Sequence, residues 1–257
     1  MIMAFTLVEM LVVIAIIAIL AALLVPVLSI GKLRAQRVAC VNNVKELTDA
    51  FLLYMNETGS LVTTHNKNNE DWMGTLYPYY SQSAKLRFCP LAPLKNKMVS
   101  ETMIGTADSA WGWGHSAIPV YGSYAFNGWL YTDPNVNNTR NFPNYLFNKE
   151  NKIRKPAETP AFIDSVWLNL WPLETDVMPN NLYAPGDSQE GIIRICIARH
   201  GSRPPSAAPT DFNPMPGTRT PGAVNIGLAD GHVETSRLDG LWNYSWHYAW
   251  QVAMQPQ

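Results

Sequence analysis

The 257-residue chain sets 19 Lys and Arg against 20 Asp and Glu, for a net charge of −1 and a pI near 6.5. That balance leaves no basic footprint of the kind nucleic-acid binding needs, so no nucleic-acid partner is expected. Three cysteines are too few for a disulfide framework and their spacing matches no zinc motif; about 200 residues follow the apolar N-terminal stretch, enough for one domain with its own core.

The stretch AFTLVEMLVVIAIIAILAALLVPVL fills residues 4–28. From Met10 to Leu28 all 19 residues are apolar or proline. As a helix this run is roughly 28 Å long, about the hydrocarbon thickness of a bilayer. A cleaved secretory signal would carry a basic n-region and a shorter core. A lipoprotein reading of RVAC at 37–40 places Arg37 where an apolar residue belongs, and Cys40 too far past the span. Glu9 is the exception in the run. A carboxylate at the bilayer centre costs about 2.5–3.5 kcal/mol on insertion scales, and less near an interface.

Beyond the span, apolar residues continue at Ile30, Leu33, Val38, Val41, Val44, Leu47, Phe51 and Tyr54, mostly three or four apart. Lys32, Arg34, Gln36, Asn42, Asn43, Lys45, Glu46 and Asp49 fill the other face. Gly59 after Thr58 is a C-terminal stop signal. One helix is therefore predicted from about Thr6 to Thr58, roughly 80 Å long. Its first half is apolar all round and its second half amphipathic. Pro26 should kink it or melt a turn. Lys32, Arg34 and Arg37 follow the span, and the positive-inside rule taken alone puts the C-terminal bulk in the cytoplasm. A basic leader upstream of Met1 would reverse that.

This N-terminal stretch closely resembles the amino terminus of type IV pilins and of the pseudopilins of type II secretion. The resemblance implies a short leader, residues 1–4, cut by a prepilin peptidase between Ala4 and Phe5, with N-methylation of Phe5. It also implies that Glu9 is the assembly residue, paired with the free amino group of Phe5 in a neighbouring subunit, and that Pro26 is the family's kink. Ala4 stands where the family usually has Gly, and the leader MIMA has no Lys or Arg. Implied partners are the peptidase, other pilin or pseudopilin subunits, the inner-membrane assembly platform and the lipid bilayer. Implied placement is a single-span bacterial inner-membrane protein whose globular domain is extracytoplasmic.

Residues 59–257 read as short strands and long loops, rich in Pro and Gly. The clearest strands are IIRICIA (192–198) and VNIGLADGHVE (224–234), β-branched, bounded by Gly and possible neighbours in a sheet. The pieces CVNNVKEL, RFCP, YGSYAFN, PAETPAFID, RHG and ADGHV together resemble a subgroup of large prepilin-like proteins. That subgroup has a C-terminal His, nine residues, then Asp-Gly. Here 29 residues separate His200 from Asp230, and the excess of 20, GSRPPSAAPTDFNPMPGTRT, reads as a Pro-rich surface loop at about 201–221. His200, Asp230 and Gly231 are expected to pin the last two strands together. In that reading Gly231 permits positive φ, Asp230 caps the turn and the His200 ring reaches Asp230.

Two other readings compete. RHGSRPP (199–205) matches the R-H-G-x-R-x-P signature of histidine acid phosphatases, with His200 as nucleophile and arginines on the phosphate. In that family, however, the motif opens a catalytic domain, whereas 57 residues follow His200 here. The second is a membrane-anchored domain that never polymerises and binds glycan or protein through SAWGWGHS (109–116) and WNYSWHYAW (242–250). His200, Asp230 and His232 could converge on zinc, but at no standard spacing. Cys40 and Cys89 are a candidate disulfide if the domain is exported, or else reduced core residues; Cys196 reads as a buried free thiol.

The expectation is an α+β protein, a long N-terminal helix on a mainly antiparallel sheet, divided into 1–4, 5–30, 31–58 and 59–257. It is expected to act as a structural pilin-like or pseudopilin subunit, with no enzymatic activity, cofactor or metal.

Overall fold

The computed structural model describes residues 7–63, 71–95, 102–114, 119–132, 142–186, 190–213 and 219–251. The expected leader, residues 1–4, and the expected new amino terminus Phe5 lie outside them. Helix α1, Leu7–Thr58, is 52 residues long, or about 78 Å. It runs through Pro26 without a break, so no turn melts there. Pro26 has no N–H to offer the carbonyl of Ala22, and Ser29 donates its hydroxyl to the Pro26 carbonyl at 2.8 Å. The helix stops where its sequence says it should. Gly59 adopts φ +64° and its N–H closes on the Met55 carbonyl at 2.8 Å.

The C-terminal half of α1 buries Cys40, Val44, Leu47, Thr48, Ala50, Phe51 and Met55, one face at helical spacing. That face lies on a five-stranded sheet of order β6-β4-β5-β7-β8. A short helix α2, Asp71–Leu76, also packs on it and buries Trp72, Met73 and Leu76. Strands β1 (Thr102–Met103), β2 (Trp111–Trp113) and β3 (Val120–Gly122) form a separate antiparallel three-stranded sheet. The larger sheet comprises β4 (Tyr124–Asn127), β5 (Pro160–Asp164), β6 (Asn169–Leu170), β7 (Ala223–Leu228) and β8 (Val233–Arg237). Its pairs are antiparallel except β4 with β6. The layout is therefore α+β, with a mainly antiparallel main sheet.

β5 and β7 are buried along their whole length. They sit inside the sheet and are covered by α1, which is why PAFID and AVNIGL show no polar alternation. Helix and sheet approach closely at Gly227, where an added Cβ would lie 1.9 Å from Thr48 Oγ1.

Two sequence expectations are corrected. IIRICIA is not a strand: Ile192–Ile195 is a 3₁₀ turn, and the chain pairs with β7 just past it, at a bridge between His200 and Ala223. Its backbone is satisfied elsewhere, the Ile192 N–H by Asp176 and the Cys196 N–H by the Ile192 carbonyl. A continuous apolar run marks burial and does not choose between strand and turn. VNIGLADGHVE is not one strand either: it is β7, a turn at Asp230 and Gly231, and the start of β8.

The Pro-rich segment is a surface loop, as expected, with most of its described residues exposed, and it is also anchored to the domain at a few points. Pro205 is buried, and Ala208 and Phe212 pack on the core. The N–H groups of Leu182 and Tyr183 both donate to the Pro209 carbonyl, and that of Phe212 to Asn180.

Candidate functional site

Two features stand out, the bare half of α1 and a buried polar cluster beneath its other half. From Leu7 to Lys32 every side chain of the helix is exposed, including Leu11, Ile14, Ile17, Leu20, Leu24 and Leu28. Leu33 is the first residue of α1 to pack against the core. The bare half is apolar on all sides, so no single face could dock it on the domain. It is long and apolar enough to cross a membrane. Glu9 lies in its first turn, where the helix dipole favours a carboxylate.

The polar cluster centres on Asp164, the fully buried last residue of β5. Its carboxylate accepts from Arg199 Nη1 at 3.1 Å, the Asn225 N–H at 2.8 Å and His200 Nε2 at 2.9 Å. Burial alone would raise its pKa. The His200 imidazole, the Arg199 guanidinium and the Asn225 amide outweigh burial and hold the carboxyl below its ordinary 3.8.

Arg199 is also fully buried, and all five of its N–H donors are engaged. Nε donates to the Ala107 carbonyl at 3.0 Å, and Nη2 to the carbonyls of Thr106 at 2.9 Å and Ser165 at 3.0 Å. Nη1 serves Asp164 and the Ser123 carbonyl. The guanidinium thus ties the 106–107 turn to the start of β4 and the end of β5. It has no donor left for a phosphate, so this arrangement does not form the clamp that RHGSRPP suggested.

His200 joins the start of β7 through a two-way backbone bridge with Ala223, at 2.9 and 2.8 Å. Its Nε2 also lies 2.9 Å from the Asn225 amide, and Asn225 accepts from Thr235 on β8. Its Nδ1 is buried without a partner. Above it sit Cys40 of α1 and Cys89, joined as a disulfide with Cα atoms 4.9 Å apart. Cys89 Sγ is 4.0 Å from His200 Nε2. Cys196 is a buried free thiol, and burial raises its pKa well above the ordinary range.

His200 therefore does not pair with Asp230. The histidine bridges Ala223 at one end of β7, while Asp230 lies beyond the other end, about 20 Å along the strand. Asp230 caps the β7–β8 turn, accepting from the His232 N–H at 3.1 Å and pairing with His232 Nδ1 at 2.7 Å. Gly231 takes φ +97° and its Cβ position faces Leu52 of α1. The histidine that could have joined Asp230 in a zinc site is thus spent on that turn, and His200 is elsewhere.

The aromatic clusters are mainly core. Trp111, Trp246 and Trp242 send their indole N–H groups to the carbonyls of Tyr124, Leu241 and Asp176. His247 is buried and stacks on Tyr145, with centroids 4.0 Å apart. Trp113, Tyr244 and Trp250 are half-buried and Tyr248 is exposed, while His115 and Ser116 lie outside the described residues.

Sequence reasoning missed Asp164 and Asn225, and read Arg199 only as part of RHGSRPP. The available signal was a carboxylate closing an otherwise apolar run, PAFID, together with an arginine at the end of another. Charges in such places have to find each other. No family model, curated protein or solved structure matches the chain.

Proposed function

We propose that the chain is a pilin-like structural subunit. It is held in the membrane and assembled with like subunits through the bare half of α1, with the globular domain displayed outside the membrane. The observation that carries this reading is the contrast within one unbroken helix. Residues up to 32 are exposed, and 10–28 are apolar on every side, whereas the face beginning at Leu33 is docked on a folded domain. A helix of this kind needs lipid or other helices around it, and a bundle of copies supplies both in turn. The FTLVE motif adds the position of Glu9, four residues after the expected new amino terminus at Phe5. In a bundle its carboxylate would be buried and would need a cation, which a neighbouring α-amino group can provide.

Intact-mass measurement of the membrane form, in cells with an active prepilin peptidase, is expected to show loss of residues 1–4 and a methylated Phe5. Glu9→Ala should insert as wild type but lose the ladder of higher species on chemical cross-linking. An uncut chain, or an unchanged ladder in the variant, overturns the reading.

A further inference from the structure

Cys40, Cys89 and His200 come from three distant parts of the chain, and their ligand atoms all lie within 4.8 Å of one another. Each of the three residues is buried. A tetrahedral zinc site, with Zn–S near 2.3 Å and Zn–N near 2.0–2.1 Å, places sulfur and nitrogen about 3.6 Å apart. The observed separation of Cys89 Sγ and His200 Nε2 is 4.0 Å. From this convergence we infer that the dithiol form of the protein binds a thiophilic divalent cation of the zinc class through Cys40 Sγ, Cys89 Sγ and a ring nitrogen of His200.

The surroundings suit that role in three ways. First, the ligands stay together without the S–S bond. Asn43 on α1 donates to the Phe88 carbonyl at 2.8 Å, Gln36 to the Pro90 carbonyl at 3.4 Å, and the Ser123 N–H to the Arg87 carbonyl at 2.7 Å. His200 is fixed separately by Ala223 and Asp164. Second, the charges close. Asp164 and Arg199 neutralise each other, and a divalent cation with two thiolates adds no net charge to a buried cluster. His200 Nε2 is the ring nitrogen nearest Cys89, so ligation through it exchanges its bond to Asp164 for one to the cation and leaves that carboxylate beside the bound charge. Third, there is a way in. A cavity of about 470 Å³, lined by Ala39 and Asn43 of α1 and by Leu86, Phe88 and Cys89, adjoins the pair.

The chemistry balances in two steps. A dithiol reductant gives two electrons and two protons to the Cys40–Cys89 bond, producing two thiols and its own cyclic disulfide. The cation then displaces one proton from each thiol. The disulfide and the metal are thus alternative clasps on the same three segments, one for each redox state. No local C-x-x-C spacing announces the site because the fold alone assembles it.

Cobalt(II) is a suitable probe, because thiolate coordination gives it near-ultraviolet charge-transfer bands and tetrahedral geometry gives it strong visible bands. The full chain in detergent is reduced anaerobically with a phosphine, which leaves as its oxide, and is then titrated. One equivalent of cobalt with both sets of bands is expected. The oxidised wild type, with the same fold but blocked sulfurs, should show neither. His200→Ala should keep thiolate bands but bind at least about tenfold more weakly and with altered visible bands. Absence of thiolate bands in the reduced protein, equal uptake by the oxidised protein, or unchanged affinity and spectrum in His200→Ala each overturns the site. None of these outcomes bears on whether the chain assembles, so the inference stands apart from the proposed function.

Discussion

Asp164 shows how much of the domain can depend on one side chain. It holds Arg199, His200 and the β7 backbone at Asn225, and none of these has water to fall back on. Asp164→Asn keeps the shape but leaves a buried guanidinium without its counter-charge. A loss of roughly 3–5 kcal/mol is expected, read as a lowered thermal midpoint. The folded-state carboxyl titrates below its ordinary 3.8. Its contribution is therefore fully present above that value and is lost as pH falls through the lower folded value. Melts of wild type should steepen their decline below about pH 4, and Asp164→Asn should flatten part of that decline. Asp108, held low in the same way by Lys95, Tyr183 and Thr106 against the effect of burial, adds to the same window. At this scale the sequence was least informative. His200 was legible as a residue with a task, but its partner was not, because Asp164 lies 36 residues away and is joined to it only by the sheet. Asp230 was the nearer candidate by motif, and the length of β7 rules it out.

Among the elements, α1 and the turn at Asp230 and Gly231 were legible, but the hairpin was not, because VNIGLADGHVE reads as one strand beside IIRICIA and instead folds back on itself as β7 and β8. Helical spacing, the Gly59 stop and the Asp-Gly turn are local signals, and local geometry honours them. IIRICIA was not, since burial on all sides erases the periodicity that separates strand from turn. Neither was the docking of the 201–213 loop, whose Pro-rich composition describes its backbone and says nothing of Phe212 or Pro205. Two expectations follow. Gly227→Ala should push α1 off the sheet at Thr48 and Val44 and cost roughly 1–3 kcal/mol, as overpacking does. Pairing it with Thr48→Ala should recover part of the loss, which a double-mutant cycle of melts would measure. Deleting 201–213 should also lower the melting midpoint clearly, because it strips Ala208 and Phe212 from the core and removes the Pro209 carbonyl that the Leu182 N–H donates to.

For the molecule as a whole, the Cys40–Cys89 bridge closes a loop across 49 positions of sequence. Such a link contributes about 2–4 kcal/mol, so Cys89→Ser should melt at a lower temperature than the oxidised wild type. Measuring it in metal-free buffer isolates the bridge. The same bridge, with Gly227 against Thr48, fixes the docked half of α1 in rotation as well as in position. An α-helix turns about 100° per residue. The apolar half and the domain therefore have a set phase, and the docked half gives it no freedom to slip. One alanine inserted after Gly31 should leave the domain melting as before yet swing it by about 100° around the axis of the apolar half. Seven inserted alanines amount to nearly two full turns and should bring the phase back to within about 20°. If subunits assemble through the apolar half, the single insertion should disrupt the cross-linked ladder and the sevenfold one should largely restore it. The helix then works as an indexing shaft, and each subunit's outward surface is set by the count of residues between the two halves.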